Sequence, residues 1–161
     1  ALHTLPIQVV LVGTGEPRYE HELRLLADRF PNLSVRLAFD ERLAHLVEGG
    51  SDFFLMPSRY EPCGLNQMYS LRYGTIPIVT ATGGLRDTVQ PATETGGTGF
   101  LIEEPCPGAI LRTLERVVKL YKESPSRIDT LRKAGMKVQF SWATAASEYA
   151  RLYTGALAAQ E

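Results

Sequence analysis

The chain has 161 residues, 44% of them hydrophobic, which is enough for one domain with its own core. Its 17 basic and 18 acidic residues leave a formal net charge of −1, so there is no electrostatic case for a nucleic-acid partner or an anionic membrane surface. No apolar run approaches the ~20 residues of a membrane helix, and the opening ALHTLP lacks the basic start and apolar run of a signal peptide.

Residues 7–12, IQVVLV, are a short β-branched run ending at Gly13, which predicts a strand. In YEHELRLLADRF, residues 19–30, Leu23, Leu26, Ala27 and Phe30 recur at helical spacing, and Pro31-Asn32 stops the helix. LSVRLAF at 33–39 alternates as a strand does. ERLAHLVE at 41–48 predicts a short helix ended by Gly49-Gly50, and FFLM at 53–56 a buried strand. A helix is expected over 64–73, ended by Gly74. IPIV at 76–79 is a strand whose Pro77 points to a sheet edge or a strand end. Gly83-Gly84 open a short helix to about Val89, and GFLI at 99–102 is a last short strand. Between them QPATETGGT, 90–98, is the most loop-like stretch and a candidate for mobility. Ile110, Leu111, Leu114, Val117, Val118 and Tyr121 share one face of a helix over 108–122. Two helices follow, roughly 125–138 and 142–157, with Ser141 as N-cap of the second and Trp142 as its packing anchor.

The order is β-α-β-α-β-α-β-α-β and then helices, with strands that are short, apolar and rarely alternating. Such strands are buried on both faces, as in a parallel sheet covered by helices. The expectation is a single α/β domain over 1–161, a Rossmann-like, doubly wound, mostly parallel sheet, with C-terminal helices from about 125 to 158. Ligands of such sheets bind beyond the carboxyl ends of the strands.

That frame gives SRYEPCGLNQ, residues 58–67, its interest. Glu61 follows the strand FFLM, at the edge where ligands bind. Cys63-Gly64-Leu65 then begin a helix, whose free N–H groups and partial positive charge hold phosphate without a cationic side chain. Gly64 lets the backbone approach a ligand. A second Gly-led helix start, Thr82-Gly83-Gly84-Leu85, follows the next strand. Two such starts could share one diphosphate, with Glu61 taking hydroxyls of an attached sugar. Plainer readings stay open: Glu61 as a solvated carboxylate, Cys63 as a small buried thiol, the Gly pairs as turns. Gly13-Thr14-Gly15 lacks the third Gly of a dinucleotide loop and the Gly-Lys-Ser/Thr ending of a phosphate loop, and reads as a strand-end turn. His3, His21 and His45 have no partner at metal-ligand spacing, and Cys63 and Cys106 form no CxxC, so no metal site is expected. A domain of this size needs no disulfide, which favours a reducing compartment.

The run Ser58-Arg59-Tyr60-Glu61-Pro62-Cys63-Gly64-Leu65-Asn66-Gln67 resembles the signature of bacterial glycogen synthases and plant starch synthases. So do Tyr73-Gly74-Thr75-Ile76-Pro77-Ile78-Val79, Thr82-Gly83-Gly84-Leu85-Arg86-Asp87-Thr88-Val89, Thr98-Gly99-Phe100 and Phe140-Ser141-Trp142, in an ordered set that covers nearly the whole chain. The resemblance implies a retaining glycosyltransferase of the GT-B fold, two Rossmann-like domains with the active site in the cleft between them. This chain looks like the C-terminal, nucleotide-sugar-binding domain, a hexosyltransferase half. Such enzymes transfer glucose from ADP-glucose, or UDP-glucose, to the non-reducing end of an α-1,4-glucan, and need no metal or other cofactor. The implied location is cytoplasmic, or a plastid in a plant or alga.

Carried over by residue, the resemblance makes Glu61 the catalytic glutamate near the donor glucose, binding sugar hydroxyls and stabilising the oxocarbenium-like state. Gly64, Leu65 and Asn66 match the diphosphate-binding helix start. Thr82, Gly83 and Gly84 match the loop near the donor sugar and phosphate. Phe39 stands where many relatives stack a tyrosine on adenine, and Cys63 lines the site. Tyr69 occupies the position of a second glutamate in related glycosyltransferases, which fits the synthase branch and removes one ribose-binding carboxylate. The resemblance places the diphosphate-neutralising Arg and Lys, the domain's first strand and the N-terminal GT-B domain upstream of IQVVLV. The chain is therefore expected to be a fragment that is inactive alone. Its last helix would pack back toward the N-terminal domain, so part of the 142–157 face is expected to be exposed apolar surface. Competing readings are a non-catalytic nucleotide- or glucan-binding module and a sugar-nucleotide epimerase of the same fold.

Overall fold

A computed structural model describes residues 2–158. After a single turn at Leu2–Thr4, the elements in chain order are β1 (Val9–Gly13), α1 (Pro17–Arg29), β2 (Leu33–Leu37), α2 (Glu41–Gly50), β3 (Phe53–Met56) and α3 (Asn66–Tyr73). Then come β4 (Ile76–Thr80), α4 (Gly83–Thr88), β5 (Phe100–Ile102), α5 (Pro107–Glu123), α6 (Pro125–Lys137) and α7 (Trp142–Ala158). The local reasons match the sequence. α1, α5 and α6 each start at a proline, whose fixed φ suits the first helical position and whose missing N–H costs nothing there. α3 stops at Gly74, left-handed at φ 81°, whose N–H closes the helix on Leu71 O and Ser70 O.

Every strand pair is parallel, as the doubly wound reading requires, with helices on both sides. The hydrogen bonding divides the strands into two sheets, β1-β2 and β3-β4-β5. β1 runs against β2 from Val9↔Leu33 to Gly13↔Leu37; β4 runs between β3 (Phe53↔Ile76) and β5 (Ile78↔Phe100).

All five β4 residues are buried. Strand alternation sends Ile76 and Ile78, with Phe100 and Ile102 of β5, to one face, where Leu114, Val117, Ile128 and Leu131 of α5 and α6 cover them. Val79 turns to the other face and packs with Leu85 and Val89, beside Met56 and Leu101. Fully burying an apolar side chain of this size is worth about 1.5–3 kcal/mol.

One sequence expectation is narrowed and one is corrected. Pro77 lies in the central strand of its sheet, so of an edge and a strand end it is the second, one residue inside β4. Successive N–H groups of a strand point to opposite neighbours. That of Ile76 donates to Asp52 O on the β3 side, so the N–H that Pro77 lacks would face β5. At that level β5 has not begun; its first residue, Phe100, pairs with Ile78. The proline therefore removes no ladder bond. Trp142 is no packing anchor: it is 87% exposed, and α7 buries no residue. Ser141 does cap α7, its Oγ accepting from the Thr144 N–H at 3.4 Å. With nothing over that face, Tyr149, Leu152, Tyr153 and Leu157 are also exposed, the apolar surface expected there.

The 90–98 stretch is a loop, and it is stitched to itself. The Gln90 N–H donates to Thr98 Oγ1 at 2.9 Å, the Thr98 N–H returns to Gln90 O, and the Thr98 side chain is buried.

Candidate functional site

The turn between β3 and α3 is held from below and from one side. Thr80, the last residue of β4, donates through Oγ1 to Ser58 O and lies 3.4 Å from Met56 O, which fixes the turn's start. The Gly84 N–H donates to Glu61 O at 3.1 Å, which fixes its middle to α4. Gly64, at φ 73°, turns the chain into α3. The left-handed conformation is one that L side chains rarely adopt, and a Cβ at Gly64 would come within 2.5 Å of Gln67 Oε1.

α3 begins without help. Its N-cap is Leu65, no side chain caps it, and its first turn carries no acidic residue. The Met68 and Tyr69 N–H groups return to Leu65 O, while those of Asn66 and Gln67 lie ahead of any intrahelical acceptor. A partly positive, uncapped helix start at the carboxyl edge of a parallel sheet suits an anion. Glu61 is half-buried beside it, with no ion-pair partner among the described residues, while Cys63 is a free, exposed thiol.

The structure brings Glu61, Cys63 and Gly64 together with Gly83 and Gly84. A Cβ on Gly83 would collide with Glu61 O, and one on Gly84 would lie 2.6 Å from Cys63 Cα. The glycine pair is thus required by the backbone of the Glu61 turn lying on it. Thr82 precedes the pair as the N-cap of α4, with no side-chain cap bond. Phe39 is separate. It sits beyond the carboxyl end of β2, 91% exposed, and no hydrogen bond or ring contact joins it to the Glu61 turn. Asp40 fixes the chain there, its Oδ1 accepting from the Leu43 N–H at 2.9 Å to cap α2. The Gly13–Gly15 turn is closed by its own helix: the Gly15 N–H donates to Glu20 Oε1 at 3.1 Å.

Residues 2–134 match the family described as Glycosyl transferases group 1. The chain belongs to the group 1 glycosyl transferases. It is 52% identical over 154 residues to the glycogen synthase of Myxococcus xanthus (strain DK1622), covering 95% of this chain and 31% of that protein. It is 51% identical over 148 residues to the glycogen synthase of Koribacter versatilis (strain Ellin345), covering 89% of this chain and 30% of that one. The chain thus spans about a third of the length of the curated relatives it matches. Among solved structures, the catalytic domain of starch synthase IV from Arabidopsis thaliana, bound to ADP and acarbose, superposes with a TM-score of 0.79 at 33% identity, covering 94% of this chain and 32% of that one. Sucrose-phosphate synthase from Thermosynechococcus elongatus shares the fold, with a TM-score of 0.69 at 24% identity over 98% of this chain and 41% of that one. The resemblance carried by the Ser58–Gln67 run is borne out at the level of family and fold.

Three supports of the Glu61 turn escaped the sequence: Gln67, Thr80 and Thr88. Each holds the Glu61 turn or its supports through a side-chain hydrogen bond. Gln67 had a visible signal. It shares a helix face with Ser70 and Leu71, at spacings of three and four, and all three are buried.

Proposed function

We propose that this chain is the donor-binding part of a glycogen or starch synthase. The whole protein would transfer glucose from ADP-glucose or UDP-glucose to the non-reducing end of an α-1,4-glucan with retention of configuration. One observation carries the reading: a half-buried, unpaired Glu61 and an uncapped α3 start share a single turn at the carboxyl edge of the sheet. The similarity to glycogen synthases supports the choice of substrate class.

The roles follow from charge. Breaking the glucose–phosphate bond leaves negative charge on the departing nucleoside diphosphate and positive charge on the anomeric carbon. The N–H groups at the start of α3, with Gly64, Leu65 and Asn66, would take the diphosphate. Glu61 would bind glucose hydroxyls and stabilise the cationic carbon. Thr82, Gly83 and Gly84 would stand beside sugar and phosphate, Cys63 would line the pocket, and Phe39 would stack on the base. None of these steps calls for a metal or another cofactor.

The N-terminal GT-B domain and the glucan acceptor are partners in this reading. The division between β1 and β3 supports it. In the doubly wound order 3-2-1-4-5-6, a first strand supplied from upstream would lie in that gap. Without the upstream cationic groups the chain alone is expected to be inactive, each lost preorganised partner costing a factor of ~10² to 10³. A cytoplasmic or plastid setting accords with two free thiols.

The test is an NMR titration of the chain with ADP, UDP and inorganic phosphate in parallel. Saturable shifts at Gly64, Leu65, Asn66 and Gly83 with ADP are expected. Shifts confined to other surfaces would overturn the donor-site assignment.

A further inference from the structure

Gln67 is polar and 0% exposed, and nothing in the proposed chemistry uses it. Its Nε2 lies 3.1 Å from each of three acceptors, Cys63 O, Gly64 O and Thr88 Oγ1. With two hydrogens for three acceptors, one hydrogen is shared. Two carbonyl oxygens at this end fix the amide's orientation, because its own oxygen there would be repelled. Thr88 Oγ1 spends its hydrogen on Gly84 O at 2.6 Å, so it receives from Gln67. The Gly84 N–H in turn donates to Glu61 O at 3.1 Å. The bonds close a ring: Gln67 of α3 to Thr88 of α4, Thr88 to Gly84, Gly84 to the Glu61 turn, and that turn back to Gln67.

The far end of the amide is the telling part. Gln67 Oε1 is buried without a donor and lies against Gly64. An orphaned buried oxygen costs free energy that a leucine of similar size would not. Packing alone therefore does not account for a glutamine here; the two N–H donors do.

We propose that Gln67 is a positioning residue for the donor site. Its amide locks the Glu61–Gly64 turn to the starts of both α3 and α4, so that Glu61 and the open N–H groups meet one ligand in fixed register. The inference rests on the donor-site reading above. A misplacement of about 1 Å at such a site costs ~10²-fold in rate, so the lock acts on function and not only on stability.

The experiment compares Gln67→Leu, Gln67→Glu and a control, Thr75→Val. Thr75 is buried at the opposite end of β4 and donates to Glu48 O and Ser51 O, away from the turn. Two readouts are used: amide hydrogen exchange at Gly84, and ADP affinity followed at the Gly64 and Asn66 amides. In Gln67→Leu, Gly84 exchange is expected to rise about tenfold while Ile78 and Val79 stay protected, and ADP affinity to fall about tenfold. Thr75→Val should change neither. In Gln67→Glu the buried acid donates only while protonated, so Gly84 protection and ADP affinity should recover as pH falls; the wild type should stay flat. Gly84 exchange in Gln67→Leu equal to wild type overturns the proposal, whether or not ADP binds. Equal ADP binding by Gln67→Leu and wild type also overturns it. A wild-type chain that ignores ADP sinks the donor-site reading instead, and Gly84 exchange still decides the role of Gln67.

Discussion

The β1-α1-β2 unit and the β3-β4-β5 sheet are built from the same parts, and they are buried very differently. No residue from Val9 to Leu37 is buried, although VVLVG is nearly all apolar and LSVRL keeps one apolar face. In β4 all five residues are buried. The cause is the number of neighbours. β4 has a strand on each side and helices over both faces, whereas β1 has one paired strand. Parallel strands are ordinarily buried on both faces, and a strand paired on both sides leaves no open edge. The proposed ligand straddles the boundary. Under the donor-site proposal its diphosphate and sugar contacts would stand on the well-packed half, and its base contact, Phe39, on the loosely packed one. The phosphate contacts would then be preformed, while the base contact would depend on an element with little of its own core.

The largest effect that would test this contrast is in the core. Ile78→Ala, at 0% exposure, is expected to cost about 2–5 kcal/mol, and Val10→Ala, at 49% exposure, about 1 kcal/mol or less. Urea denaturation of both variants measures it, and equal losses would erase the distinction between the halves. Next come the glycines of the two ligand-edge turns. Gly84→Ala forces a Cβ into the Cys63 backbone and should cost about 1–3 kcal/mol, along with ADP binding. Gly15→Ala meets open space in the β1 turn and should be neutral, or a gain of less than about 1 kcal/mol.

Hydrogen exchange sharpens the contrast without a mutation. Amides of β1 and β2 should exchange through a low-energy local opening, and those of β4 only on global unfolding. Adding upstream sequence that fills the gap between β1 and β3 should slow β1 exchange selectively. Protection of β1 that matches β4 in the chain alone would contradict the two-half description.

The smallest effect concerns Glu48 on α2, 7% exposed, with Oε1 lacking a donor. Burial raises its carboxyl above the ordinary carboxylate value, opposed by His45 and by a Ser70 backbone hydrogen bond. A raised folded-state value means that the stability tied to the protonated form is full below the unfolded value. It is lost as pH climbs through the folded one. Glu48→Gln should therefore be more stable than wild type at about pH 8 and hold no such advantage at about pH 4. Thermal melts at both pH values check the sign.

The sequence by itself determined the element order, the parallel class, the turn glycines and the family. These depend on local chemistry: strand and helix periods, proline at helix starts, and an ordered run from Ser58 to Gln67. It also placed Glu61 and the α3 start on the ligand edge, since a residue that follows a buried strand in such a sheet can lie nowhere else. Tertiary structure decided the rest. Pro77 reads as an edge or a strand-end residue, and only the late start of β5 shows that it is the second and that its missing N–H faces no partner. Trp142 reads as core until α7 proves to have nothing over it. The Gly83-Gly84 pair reads as a Gly-led helix start or a turn, and only the fold shows the Glu61 turn lying on it. The helix face of Gln67 can be read from its spacing to Ser70 and Leu71, but not that Thr88, twenty-one positions away, accepts its hydrogen bond. Periodicity reports which face of an element is buried. It carries no record of what lies on that face, because those partners are joined by folding and not by the chain.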